Sequence, residues 1–127
     1  MKAFERLWIG ILSISLLAFS FQTTSAEPIT VVSWGGSYGK AQDRALFTDA
    51  SNHSGIAINR ESGASMTKTC LQVQSGSVTW DLVVTGSGGA AAAAADGCLE
   101  KIDYSVVDVS DFYPGLYTDY CLSLIHI

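Results

Sequence analysis

The sequence predicts an α/β fold built on a parallel sheet, and three observations predict it. Short β-branched or alternating runs recur ("ITVVSW", "IAINRE", "WDLVV"), and helical patterns separate them. A loop rich in Gly and Ser follows each run: "GGSYG", "SGAS" and "TGSGG". Strands alternating with helices form βαβ units, and right-handed crossovers put every loop that leaves a strand on one edge of the sheet. That edge is where α/β sheets hold ligands.

Each element has its own signal. "ITVVSW" (29–34) suits a strand buried on both faces. "KAQDRALFTDASNHSG" (40–55) places Ala41, Ala45, Leu46 and Ala50 at helical spacing, with Gly55 as a stop. "IAINRE" alternates as a second strand. "SMTKTCLQVQSG" opens on Ser65 as an N-cap, sets Met66, Cys70 and Val73 on one face, and ends at Gly76. "WDLVV" is the third strand, with Trp80 as core or edge and Asp81 holding a neighbouring loop. "AAAAAADG" is a small-residue helix closed by Gly97, and "CLEKID" a turn into an extended stretch. "YSVVDVSDFYPGLYTDY" reads as a segment crossing the surface.

The ends are expected to lie outside this fold. "MKAFER" is basic, "LWIGILSISLLAFSF" is apolar and uncharged, and "TTSA" supplies small residues. That is the pattern of a secretory signal peptide over 1–26, cleaved near Ala26-Glu27; an uncleaved membrane anchor is the alternative. "LSLIHI" (122–127) is what a sequencing-library transposon end encodes, so those residues and His126 are set aside. The fold then occupies 27–121.

From Glu27 onward there are 5 Lys and Arg against 11 Asp and Glu, a net charge of −6. Such acidity argues against nucleic acid or an anionic membrane as partner. Cys70, Cys98 and Cys121 form no C-x-x-C and no Cys/His cluster, so neither a metal nor a redox site is expected. One disulfide is compatible with export, but isolated thiols at apolar positions are the expectation.

Three readings compete at the glycine loops. Gly35-Gly36-Ser37-Tyr38-Gly39 matches the G-x-S-x-G turn of a serine hydrolase, with Ser37 as nucleophile. His53 lies on the helix that such a turn would start, and no other base precedes the excluded tail. Gly86-Ser87-Gly88-Gly89 lacks the full dinucleotide pattern, because Ala91 stands at its last position. Its free N–H groups at a helix start suit a carboxylate, or the glycines serve only the turn. Trp34 and Tyr38 on a bare loop offer aromatic faces to a cation; alternatively, Trp34 caps the core. No organic cofactor is implied. Asn52-His53-Ser54 spells a glycosylation acceptor, relevant only in a eukaryotic secretory pathway.

Taken together, the strand ending in Trp34, "SGIAINRES", "WDLVV" and "ADGCLEKID" resemble the periplasmic solute-binding proteins of ABC importers, in the spermidine/putrescine-binding family. The resemblance runs from Ile29 to about Tyr120. It implies a type II periplasmic-binding-protein-like fold, here an incomplete N-terminal lobe with the second lobe absent. It also implies periplasmic location, a small-molecule ligand, an inner-membrane permease as partner and a monomer when full length. The ligand residues it implies are Trp34, Gly35, Gly36, Ser37 and Tyr38 after the first strand. Ser62 and Gly63 follow the second, and Thr85, Gly86 and Ser87 the third. The polyamine pattern has Asn before the Trp and a Tyr three residues after it; here Ser33 precedes, and Tyr38 is one place late. A carboxylate-bearing molecule would suit the glycine loops equally well. A free-standing secreted interaction domain is the third class of reading, and it requires this chain to fold cooperatively alone.

Overall fold

The computed structural model describes residues 26–123. The signal-peptide stretch through Ser25 and the tail from Leu124 onward, His126 included, lie outside the described residues. Strand β1 (Ile29–Ser33) is the centre of the molecule. Its β-branched run places Val31, Val32 and Ser33 fully inside, because a strand covered on both faces has no solvent side to alternate with. β2 (Ile58–Ser62) and β3 (Leu82–Val83) flank it, both parallel to it, in the order β2-β1-β3. The register pairs Ile29 with Ile58 through Ser33 with Ser62 on one side. On the other, Val31 pairs with Leu82 and Val32 with Val83.

The connection from β1 to β2 is helical from Gly36, earlier than the sequence suggests. α1 (Gly36–Gln42) runs into a π-helical turn (Asp43–Phe47) and on into α2 (Thr48–Ser54). Gly55 closes it in the left-handed conformation, as expected. The expected apolar stripe is corrected: Ala41, Ala45, Leu46 and Ala50 are exposed, and the covered side carries Gln42 with Gly39, Phe47 and Ser51 partly covered. The π turn adds a residue to one turn and re-phases the faces, which a 3.6-residue count cannot anticipate.

α3 (Met66–Ser75) is capped as expected. The Ser65 side chain accepts from Lys68 N, and Gly76 ends the helix with positive φ. α4 (Ser87–Ala95) buries Ala90 and Ala93. It approaches α3 closely at Gly89, where a Cβ would sit 2.8 Å from Thr85 Oγ1 and 3.3 Å from Met66 Cγ. The alanine run is therefore a packing device. β3 is shorter than "WDLVV" implies. Trp80, half-buried, donates its indole N–H to Glu61 Oε2 at 2.8 Å and so ties the two outer strands. Asp81 holds β1 and not a loop: its Oδ2 accepts from Thr30 N at 2.6 Å, and its own N–H donates to Thr30 O at 3.0 Å.

The expectation of isolated thiols is overturned for two of the three cysteines. Cys70 on α3 and Cys98 just past α4 form a disulfide with Cα atoms 5.0 Å apart, and Cys121 remains a free thiol. Both partners lie on the layer where α3 meets α4. Tertiary packing brings them together, and linear spacing gives no sign of it.

Beyond Asp96 there is no further strand among the described residues, in keeping with a surface-crossing segment. Ile102 N donates to Asp119 O at 2.7 Å, and Lys101 pairs with Asp119 at 2.8 Å. The Tyr104 hydroxyl donates to Thr118 O, and its ring meets Tyr117 edge-on at 5.6 Å. Asp103 and Asp108 fold the chain into tight turns. The Ser105 hydroxyl, then its N–H, hold the Asp103 carboxyl below its ordinary range; the Ser110 N–H does the same for Asp108. Leu122 and Ser123, set aside at the sequence level, pair back on Tyr117 and Leu116.

Candidate functional site

The strand order reverses at β1. The first connection leaves to β2 on one side, and the next returns past β1 to β3 on the other. In open parallel sheets a ligand crevice lies outside the carboxyl ends of the strands at such a point. Here that edge is built from the loops after β1, β2 and β3. Ser33 is level with Ser62, so Trp34 is level with Gly63. Val84 N donates to Val32 O at 2.9 Å, extending the β3 register and bringing Thr85 level with Trp34.

Trp34 stands 51% exposed at this edge, with the Tyr38 ring tilted 35° to it at a centroid distance of 5.2 Å. Both rings of the pair are partly open to solvent. Gly35 makes the placement feasible. Its φ of 79° and ψ of −157° fall in a region that only glycine adopts. A Cβ there would also lie 2.9 Å from Ser62 Cβ. The loops after β1 and β2 thus touch backbone to side chain.

Ser62 lines, with Gly35, Gly36, Ser33 and Gln42, a groove of about 250 Å3 between α1 and the sheet. The Asp43–Arg60 ion pair, 3.0 Å long, forms its outer wall. Thr85 and Gly86 lead into α4, and Gly86 caps that helix without a side-chain bond. Ser87 faces a second hollow of about 520 Å3, formed by α4 with Thr118 and Tyr120. Of the ten candidate residues, Gly35, Gly36 and Ser62 line the first hollow and Ser87 the second. Trp34 and Tyr38 stand on the edge itself.

Ser37 lies exposed in the first turn of α1, and His53 is on α2 sixteen positions further. At 1.5 Å per residue that is on the order of 20 Å, far beyond hydrogen-bond reach, so among the described residues His53 does not serve Ser37 as a base. Nor, among them, does any group of three His, Cys, Asp or Glu gather as for a metal ion.

Two residues at the edge are not among the ten candidates from the sequence. Ser33 and Gln42 are 5% and 6% exposed, and the Ser33 hydroxyl donates to Gln42 Oε1 at 2.6 Å. A Gln beside an amphipathic stripe reads as solvent-facing; only the re-phased helix reveals it as interior.

The contact at Gly35 gives a prediction. Gly35→Ala is expected to cost about 2–3 kcal/mol in stability, combining forbidden backbone with the Ser62 collision. Gly36→Ala, at φ 59° with open space around its Cβ, is expected to cost about 1 kcal/mol. Denaturant titrations of both variants check this; equal costs would show that the two loops are not in contact.

No model of a known protein family matches the chain. It is 29% identical over 111 residues to a gamma-aminobutyric acid-binding protein of Pseudomonas aeruginosa, a match covering 85% of this chain and 32% of that protein. Among solved structures it is similar to AgtB of A. tumefaciens R10 in complex with agropinic acid, with 35% identity and a TM-score of 0.72. That match covers 75% of this chain and 30% of AgtB. A GABA receptor structure matches at 33% identity and a TM-score of 0.71, over the same shares. MotA of A. tumefaciens B6, in complex with glucopine, matches at 37% and 0.68, covering 72% and 28%. The chain spans about a third of the length of these relatives. They are periplasmic binding proteins, not enzymes. The α/β fold described above matches a part of theirs.

Proposed function

We propose that this chain, which spans about a third of the length of the binding proteins it matches, is the N-terminal part of a solute receptor of an ABC importer. It captures a small molecule in a cleft whose first wall is the carboxyl edge of the β2-β1-β3 sheet, and hands it to an inner-membrane permease. The observation that carries this reading is the open Trp34–Tyr38 pair, level with the glycine loops after both neighbouring strands. The site residues are those ten: Trp34 to Tyr38, Ser62 and Gly63, and Thr85 to Ser87.

The spermidine/putrescine assignment finds no support in the comparisons, whose proteins are named for GABA, agropinic acid and glucopine. A ligand carrying both a carboxylate and an amino group fits this edge better. Aromatic faces suit the cationic or apolar part, and the backbone N–H groups of Gly86 to Gly88 suit the anionic part. The test is calorimetric titration of the full-length protein with GABA, agropinic acid and putrescine. Micromolar binding of a carboxylate-bearing ligand with putrescine inert is expected. Binding of putrescine alone would restore the polyamine assignment, and fluorophosphonate labelling of Ser37 would replace the receptor reading with a hydrolase.

A further inference from the structure

The buried Ser33–Gln42 pair is a polar device in a place where an apolar one would serve stability. Ser33 is the last residue of β1, directly before Trp34, and Gln42 ends the helix that begins beyond Trp34. One hydrogen bond, Ser33 Oγ to Gln42 Oε1, therefore closes the two ends of the loop that carries Trp34 and Tyr38. The carbonyl of the same serine accepts two more bonds, from Gly63 N at 2.9 Å and Ala64 N at 3.1 Å. Those two amides belong to the loop after β2. Ser33 thus bonds both to helix α1 and to the loop after β2, at the point where the loop after β1 begins.

The pair is also poorly satisfied. Gln42 Nε2 is buried and has no acceptor among the described residues. A buried amide left half-bonded opposes folding, and replacing both partners of such a bond by apolar groups of the same shape is close to neutral or stabilising. Stability therefore does not account for a Ser opposite a Gln here. A bond of defined length and direction, by contrast, does what an apolar contact cannot, because it selects one arrangement of its two ends.

We infer that Ser33 and Gln42 are positioning residues, which hold the loop that carries Trp34 and Tyr38 in the ligand-receiving arrangement before any ligand arrives. The inference rests on the reading of this edge as a ligand wall. Its physical content, one ordered loop arrangement set by one hydrogen bond, is measurable without a ligand. Pre-ordering of this kind removes from the binding step the cost of immobilising Trp34 and its loop.

The test uses the full chain labelled with 5-fluorotryptophan, with the Trp34 fluorine resonance assigned through Trp34→Phe. Wild type is expected to give one sharp Trp34 signal. Ser33→Ala alone strands the Gln42 amide and lowers the melting temperature. The double variant Ser33→Ala/Gln42→Met removes both polar groups at nearly constant volume. Its melting temperature is expected to return to within about 2 °C of wild type, or to exceed it. Its Trp34 signal is nevertheless expected to broaden or split, while the Gly63 and Ala64 amides, bonded to the main-chain carbonyl of residue 33 that the variant keeps, stay protected. A double variant with wild-type stability and an unchanged Trp34 signal would overturn the inference. So would a double variant in which stability falls as far as in Ser33→Ala, since the pair would then be an ordinary stabilising contact. Neither outcome bears on whether the full-length protein binds GABA, so failure here is separable from failure of the receptor reading.

Discussion

Cys70→Ser is expected to lower the melting temperature of this chain by on the order of 15–25 °C. The disulfide closes a loop of 28 residues' separation, for which loop entropy alone gives about 3–4 kcal/mol. The total stability of a domain this size is about 5–15 kcal/mol, and each kcal/mol corresponds to roughly 4–8 °C, so the loss is a large fraction of the whole. The bridge carries this weight because little else joins α3 to α4. The residues that α4 buries are small, Ala90 and Ala93, and it comes close to α3 at Gly89, opposite Met66. Small side chains bring backbones near each other and bury little area. Thermal melts with and without a reductant check the prediction. If the reduced and oxidised chains melt together, the bridge contributes nothing, and α3–α4 packing must suffice alone. The same dependence ties productive folding to an oxidising compartment, in accord with an exported protein.

Trp34→Ala in the full-length protein is expected to weaken ligand affinity at least tenfold, equivalent to about 1.4 kcal/mol. It is also expected to abolish the ligand-induced change in tryptophan fluorescence. The argument is one of exposure. Trp34 is half in solvent beside Tyr38, so the ring contributes modestly to the core and has its face free for a ligand. Covering a ring of this size removes a large apolar area from water, and any cation beside it gains about 0.5–2 kcal/mol more. Trp80→Phe is the control: its indole N–H is already bound to Glu61, so the fluorescence response should survive its loss. Undiminished affinity in Trp34→Ala would remove the aromatic wall from the site.

The edge of the sheet was legible in the sequence because its signals are local. A Trp at the end of a β-branched run and Gly/Ser clusters after each strand are features of adjacent residues, and the parallel topology does the rest. Gly55, Gly76 and Ser65 end or begin their helices for equally local reasons. What was not legible depends on residues distant in the chain or on irregular backbone. The π turn at Asp43–Phe47 has no composition of its own, so the predicted stripe of Ala41, Ala45, Leu46 and Ala50 fell on the wrong side and Gln42 was passed over. The Cys70–Cys98 bridge is a product of helix packing. Asp81 shows the same limit: it reads as holding a neighbouring loop, and its partner is Thr30 on the first strand.

The placement of β1 at the centre has a kinetic consequence. β1 is the first element of the described chain to be synthesised, yet Ile29 meets Ile58 and Val31 meets Leu82, each across at least one helix. No hairpin can nucleate such a sheet. Every ladder bond waits on the closure of a long loop, which places folding in the slow range of milliseconds to seconds and not among the microsecond folders. Through that interval Val31 and Val32, the most deeply enclosed residues of the finished sheet, are unpaired and open to association with other chains. The strand made first is the one satisfied last.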